Sequence, residues 1–274
     1  MGIAMSEPTE SPKPTESTEL IDQPTLTLEG VPFLILAGGR GSRLADQTKD
    51  IPKSMIGIGG EPFIAHVLNL LKREGVSRVV LLVHHLAEQI ENFVGDGSRF
   101  GMNVSYSRDG KAKLGTGAAV KKALSEVDGD FAVMYGDTYL DISMAPLYNA
   151  FKGSQFNAMM TVLENDNKWQ PSNCEFDQES GKLLKYDKKK PTANMHFVDF
   201  GLTFFAKESF AKHAKSVKKD SFDLSDIFRS MTKKSEMGGY AVNRRFYDIG
   251  TPESLIETRA YLSQSQLWQL GKAT

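Results

Sequence analysis

The sequence predicts an α/β protein with a central sheet of mostly parallel strands, followed by a section rich in further strands. Three observations carry that prediction. From Val31 onward, short apolar runs alternate with amphipathic stretches of helical period, the pattern of strand–helix–strand units with right-handed crossovers. Runs such as "SRVVLLVHH" are apolar without alternation, as expected of strands covered on both faces. From "QFNAMMTVL" on, strand-like runs follow one another with fewer helices between them.

Taken in order, "VPFLILA" stops at glycines and reads as a buried strand. "EPFIAHVLNLLKREG" places Ile64, Val67, Leu68 and Leu71 at i, i+3, i+4 and i+7, a helix that Gly75 ends. "SRVVLLVHH" is the next strand, "LAEQIENFVGDG" a helix and "MNVSYS" a short strand. "GTGAAVKKALSEV" predicts a helix and "DFAVMYGD" another buried strand. "QFNAMMTVL", "NCEFD", "KLLKYDK" and "MHFVDFGLTFFA" read as strands. "DLSDIFRSMTKK" restores a helical stripe through Leu224, Ile227, Phe228 and Met231. "RRFYDIGTPESLIETRAYL" reads as a strand end, a turn, and a helix beginning near Pro252. No repeat is visible, and one extended domain over 30–265 is expected.

Composition narrows the function classes. The chain has 274 residues, 40% hydrophobic and 24% charged, with a net charge of −1, ordinary values for a globular protein. Without a basic excess there is no counterion-release surface for nucleic acid, and no apolar run reaches the roughly 20 residues of a membrane helix. Cys174 stands alone, so no internal disulfide or multi-cysteine metal cage can form, which suits the cytoplasm. Residues 1–29, rich in Ser, Thr, Glu and Pro, read as a disordered leader, with a tethering or regulatory arm as the alternative. Residues 266–274 read as a polar tail.

The chemistry concentrates in "LAGGRGSRL", Leu36 to Leu44. Ligands of open α/β sheets bind beyond the carboxyl ends of the strands, and a glycine-rich loop there lets backbone N–H groups approach phosphates. Arg40, Arg43 and, further on, Lys53 add fixed positive charge suited to phosphate oxygens. The dinucleotide fingerprint is excluded because Leu44 occupies its third glycine position, and the P-loop pattern is absent. On the loop alone, a glycine-rich surface turn fits as well.

Five segments in order, "LAGGRGSRL", "IPKSM", "LGTGAAVKKAL", "YGDTYLDI" and "YDIGTPESL", resemble the sugar-nucleotide pyrophosphorylases. The resemblance runs from Val31 to about Leu262. It is nearest to the short single-domain branch of heptose-1-phosphate guanylyltransferases and of muramate- and glucose-1-phosphate uridylyltransferases. It implies a Rossmann-like, mixed and mostly parallel sheet with flanking helices and a β-rich sugar-binding section, the nucleotide-diphospho-sugar transferase fold. It also implies the reaction: an NTP and a sugar 1-phosphate combine to give an NDP-sugar and pyrophosphate, with Mg2+ as cofactor. A homo-oligomer is compatible with it.

By the same resemblance, Arg43 and Lys53 are catalytic, drawing charge from the departing pyrophosphate and contacting phosphate. Leu36, Ala37, Gly38, Gly39, Gly41, Gly115, Thr116, Gly117 and Gly136 bind nucleotide. Asp187, Lys188, Asp199 and Gly201 bind sugar phosphate, and Asp137 and Asp248 hold the metal. Two departures stand out. Ser54 replaces the second proline of the family's Pro-Lys-Pro signature, and "SRDGKAKLGTG" lacks the glutamine many relatives carry before the glycine pair. Each residue also has a plainer reading: Lys53 as a solvated lysine, Asp137 as a turn cap, Asp248 as a helix cap, Asp187 and Lys188 as a charged turn. A catalytically silent nucleotide or sugar-phosphate sensor of the same fold is the rival function, and the molybdenum-cofactor nucleotidyltransferases, which share only "LAGG", stand further off. The five histidines lack metal-ligand spacing. Asp141 reads as structural, and Trp169 as a ligand-stacking or rim residue.

Overall fold

The continuous apolar runs become the central strands of a computed structural model that describes residues 26–110 and 114–270. Along the chain come β1 (Pro32–Leu36), α1 (Ala45–Thr48), the short pair β2 (Gly57–Ile58) and β3 (Glu61–Pro62), α2 (Phe63–Arg73), β4 (Arg78–Val83), α3 (Ala87–Val94) and β5 (Asn103–Arg108). There follow α4 (Thr116–Lys122), β6 (Phe131–Tyr135), β7 (Thr138–Tyr139), α5 (Ala145–Gly153), β8 (Ala158–Glu164), β9 (Cys174–Asp177), β10 (Lys182–Tyr186) and β11 (Phe197–Phe205). The last elements are α6 (Lys207–Ser216), α7 (Leu224–Lys233), β12 (Met237–Val242), β13 (Tyr247–Asp248) and α8 (Pro252–Leu270).

Nine strands form one sheet in the order β5-β4-β1-β6-β11-β8-β12-β10-β9, so the β-rich section extends the first sheet instead of standing apart. Parallel pairing joins β5, β4, β1 and β6, and again β8 and β12. The remaining neighbours run antiparallel, so the sheet is mixed as expected, with continuous parallel pairing only across β5, β4, β1 and β6. Connection length accounts for the β9–β10 pair, whose short turn can only reverse the chain.

Both faces are covered. Phe33, Ile35, Val79 and Leu81 pack on one side with Ile64, Val67, Leu68 and Leu71 of α2. Leu34, Val80 and Leu82 face the other side with Val120 of α4, Phe210 of α6, and Ile227, Phe228 and Met231 of α7. The alternation within β1 explains why the strand reads as uniformly apolar. Register then places the site: Leu36 of β1 lies opposite both Leu82 of β4 and Tyr135 of β6. The loops leaving β1 and β6 therefore emerge side by side, at the end where an open sheet binds ligands.

Several expectations shift. The core begins before the expected boundary at residue 30, because Leu28 is 1% exposed and the Leu26 backbone exchanges two hydrogen bonds with the Asn149 side chain. Residues 1–25 of the expected leader lie outside the described residues. The final helix continues to Leu270, into the stretch expected as a tail, of which 271–274 lie outside the description. α5, α6 and β12 went unforeseen: α6 buries only Ser209, Phe210, His213 and Ala214, and β12 opens "MGG", which reads as a turn. Among the described residues, no helix is long and apolar enough to cross a membrane.

Candidate active site

At the carboxyl ends of β1, β4 and β6 a slot of about 150 Å³ adjoins a basin of about 440 Å³. Leu36, Ala37, Gly38, Gly39, Thr116 and Gly136 line the slot together with Leu82, Leu114 and Ala119. Arg43, Lys188, Asp199, Gly201 and Asp248 line the basin with Trp169, Phe246 and Thr251. Tyr135 and Asp137 belong to both walls. The narrow, largely aliphatic slot suits a flat aromatic ring, and the wider, charged basin suits a hydrated polar ligand.

Asp137 and Asp248 are brought together by a two-residue strand pair. Asp248 of β13 lies opposite Thr138 of β7, and the Ile249 N–H donates to the Asp137 carbonyl at 3.0 Å. Each carboxylate also accepts neutral donors on its Oδ1. Thr138 Oγ1 donates to Asp137 Oδ1 at 3.2 Å; the Gly250 N–H and Ser254 Oγ donate to Asp248 Oδ1 at 2.6 and 2.9 Å. The plainer readings of these aspartates as caps are thus partly realised, yet both still line the basin.

Lys53 is not a solvated loop lysine. It is 7% exposed, and its Nζ lies 2.5 Å from Asp137 Oδ2. Gly41 suits this packing: its φ is +66°, and a Cβ there would meet Thr48 Cγ2 at 2.9 Å and Lys53 Cβ and Cγ at 3.2 Å, so an ordinary side chain would be strained and crowd both. Arg43, in contrast, is exposed and lines the basin beside Gly250.

On the far side of the basin, Asp199 is almost wholly buried, with its side chain 1% exposed. It accepts from the Gly201 N–H at 2.9 Å and from the Tyr186 and Tyr135 hydroxyls at 3.3 and 3.5 Å. Lys188 Nζ supplies the counter-charge at 3.6 Å and sits 5.0 Å from the Tyr135 ring centre. Burial works against the Lys188 ammonium, but Tyr135 and Asp199 outweigh it and hold its pKa above the ordinary lysine range. Burial, then the Asp199 charge, raises the Tyr135 phenol, which stays protonated.

Other expected residues fall elsewhere. Asp187 lines neither cavity; it accepts from the Lys189 and Lys190 N–H groups at 2.8 and 3.0 Å, the charged-turn alternative. Gly115 and Gly117 flank Thr116 but do not line the slot. A Cβ on either would lie 2.3–2.6 Å from Phe222, so their smallness admits the approach of the segment before α7, not of a ligand. Asp141 binds Arg73 and Tyr261, as a structural residue would. The sequence reading missed Tyr135, Asp109 and Phe246 as lining residues. Only Tyr135 carried a signal, standing at the end of a buried strand one residue before the loop.

Comparison with known proteins places this geometry. The family described as nucleotidyl transferase matches residues 33–265. A D-glycero-alpha-D-manno-heptose 1-phosphate guanylyltransferase of Campylobacter jejuni is 28% identical over 220 residues, covering 80% of this chain and 95% of that protein. An N-acetylmuramate alpha-1-phosphate uridylyltransferase of Neisseria meningitidis is 30% identical over 236 residues, covering 83% and 96%. A Bacillus anthracis crystal structure assigned as a glucose-1-phosphate thymidylyltransferase, with sucrose bound, superimposes with a TM-score of 0.75 at 22% identity, covering 84% and 94%.

Proposed function

The chain belongs to the nucleotidyl transferase family, and we propose that it joins an NTP to a sugar 1-phosphate, giving an NDP-sugar and pyrophosphate. The slot holds the nucleobase, the loop from Ala37 to Gly39 faces the phosphates, and the basin receives the sugar phosphate. One observation supports this reading above the others: Asp137 stands in the wall shared by slot and basin, where the two substrates would meet.

The central physical problem is charge, because a phosphate monoester of about −1.5 to −2 must approach a polyanion. Catalysis is then mostly positioning and neutralisation in line with the leaving group. Lys188, backed by Asp199, holds the incoming phosphate so that its oxygen faces the α-phosphorus. Backbone N–H groups of the glycine loop and the Lys53 ammonium hold the triphosphate. Arg43 draws charge from the pyrophosphate as the P–O bond to it breaks. No proton need move from the attacking oxygen at neutral pH, since the phosphate is already ionised.

Asp137 and Asp248 fit a magnesium site. Among the described residues no cluster of three or more His, Cys, Asp or Glu could cage a metal, but Mg2+ commonly takes only one or two carboxylates and completes its shell with substrate phosphates and water. Each carboxylate is steadied through Oδ1 by neutral donors, and Asp137 Oδ2 pairs with Lys53 Nζ, so a cation there would share that oxygen with the lysine. When bound there, Mg2+ would neutralise phosphate charge and polarise the α-phosphorus.

The test is direct. Purified protein with Mg2+, each of four NTPs, and hexose, heptose and amino-sugar 1-phosphates should release pyrophosphate with at least one pair. Folded protein that is silent across that panel would favour the sensor reading. A narrower prediction concerns Lys188: Lys188→Met should raise the KM for sugar 1-phosphate about tenfold or more while the KM for NTP changes little. Its raised pKa means its charge, and the stability that goes with it, is fully present below about pH 10.4, the ordinary lysine value. Both are lost only as pH rises through the higher folded value, so this lysine contributes no pH dependence between pH 6 and 9.

A further inference from the structure

Among the described residues, two buried side-chain atoms lack a hydrogen-bond partner, Ser54 Oγ and His84 Nδ1. Both flank the glycine loop. Ser54 lines the slot, and His84 Cβ would stand 3.2 Å from a Cβ on Gly38. Ser54 is the stronger case. It is 3% exposed, sits in the single turn Lys53–Met55, and its hydroxyl has no hydrogen-bond partner among the described residues. A buried hydroxyl left unpaired destabilises the free fold, so such a group calls for a partner.

We infer that Ser54 Oγ hydrogen-bonds the bound nucleotide on its ribose–phosphate side, which makes it a nucleotide-positioning residue at a place where the resembling family carries a proline. The inference rests on the slot being the nucleotide site. Position in the chain carries the placement. Lys53 is immediately adjacent and reaches Asp137 at the phosphate end, whereas the aliphatic residues Leu82, Leu114 and Ala119 mark the base end. A proline at 54 could offer no donor; serine can donate to a phosphate or ribose oxygen.

The inference makes opposite predictions for the free and the bound protein. Ser54→Ala removes only the hydroxyl, so the melting temperature of the free protein should stay level or rise. Affinity for nucleotide should fall about tenfold, the size of one hydrogen bond to a charged or polar ligand group. The fall should be the same for every NTP that binds, because the ribose and phosphates are common to all. Calorimetric titration with each NTP, alongside thermal unfolding with and without it, reads all three. Unchanged affinity in Ser54→Ala, a melting temperature lowered by several degrees without ligand, or a loss confined to one base would each overturn the inference. A parent protein that binds none of the four NTPs would overturn the nucleotide reading and this inference with it; parent binding that Ser54→Ala leaves intact overturns this inference alone.

Discussion

Asp137→Asn is expected to lower kcat about 10²–10³-fold, the range for loss of one preorganised electrostatic group, with nucleotide affinity held within about threefold. The geometry explains the split. In the free protein Lys53 Nζ pairs with Asp137 Oδ2 at 2.5 Å, so a triphosphate that engages Lys53 shares its three-donor ammonium with that carboxylate. Asparagine removes the competitor for Lys53, which offsets whatever binding the carboxylate itself supplied. The same change leaves the Lys53 ammonium without its counter-charge. Free Asp137→Asn should therefore melt at lower temperature, by less than the ~3–5 kcal/mol of a fully buried broken pair, because the Asp137 side chain is 39% exposed. Nucleotide should restore that loss. Steady-state kinetics and thermal unfolding with and without NTP check both halves.

Arg43→Ala should cost a similar factor in kcat, about 10²–10³, but with a different accompaniment. Arg43 is exposed and lines the basin beside Gly250, and no ion pair to it is present among the described residues. Its removal should leave stability within about 0.5 kcal/mol, as for surface changes away from special features. The loss should fall on kcat more than on KM, since charge on the leaving pyrophosphate develops only as the bond breaks. Equal losses in kcat and stability would place Arg43 in the fold and not in the reaction.

How much of this was legible in the chain depended on whether the feature carries a local pattern. β1, β4 and β6 were readable because strands buried on both faces leave unbroken apolar runs such as "FLILA" and "RVVLLV". The end of the sheet expected to bind ligand followed from the glycine loop at the carboxyl end of β1. β7 and β13 carry no pattern, since two residues cannot show a period, and yet their pairing brings Asp137 to Asp248. That Asp137 and Asp248 would line one basin was accessible only through resemblance. Glycines were ambiguous for a related reason. Gly41 and Gly115 look alike in the sequence, but one clears room for Thr48 and Lys53 and the other for Phe222. The Lys188–Asp199–Tyr135–Tyr186 network was hidden because its members come from separate strands and turns. Asp187, next to Lys188, turned out to serve the backbone of its own turn.

Whether Asp137 and Asp248 share one divalent cation can be measured without turnover. Manganese, which is paramagnetic and takes the same oxygen ligands, can be titrated by electron paramagnetic resonance into protein carrying a non-hydrolysable NTP. Parent protein, Asp137→Asn, Asp248→Asn and the double variant complete the cycle. One shared ion predicts that each single variant loses most of the bound manganese and that the double variant is little worse than either. Single variants that bind manganese like the parent, or losses that simply add in the double variant, would contradict it.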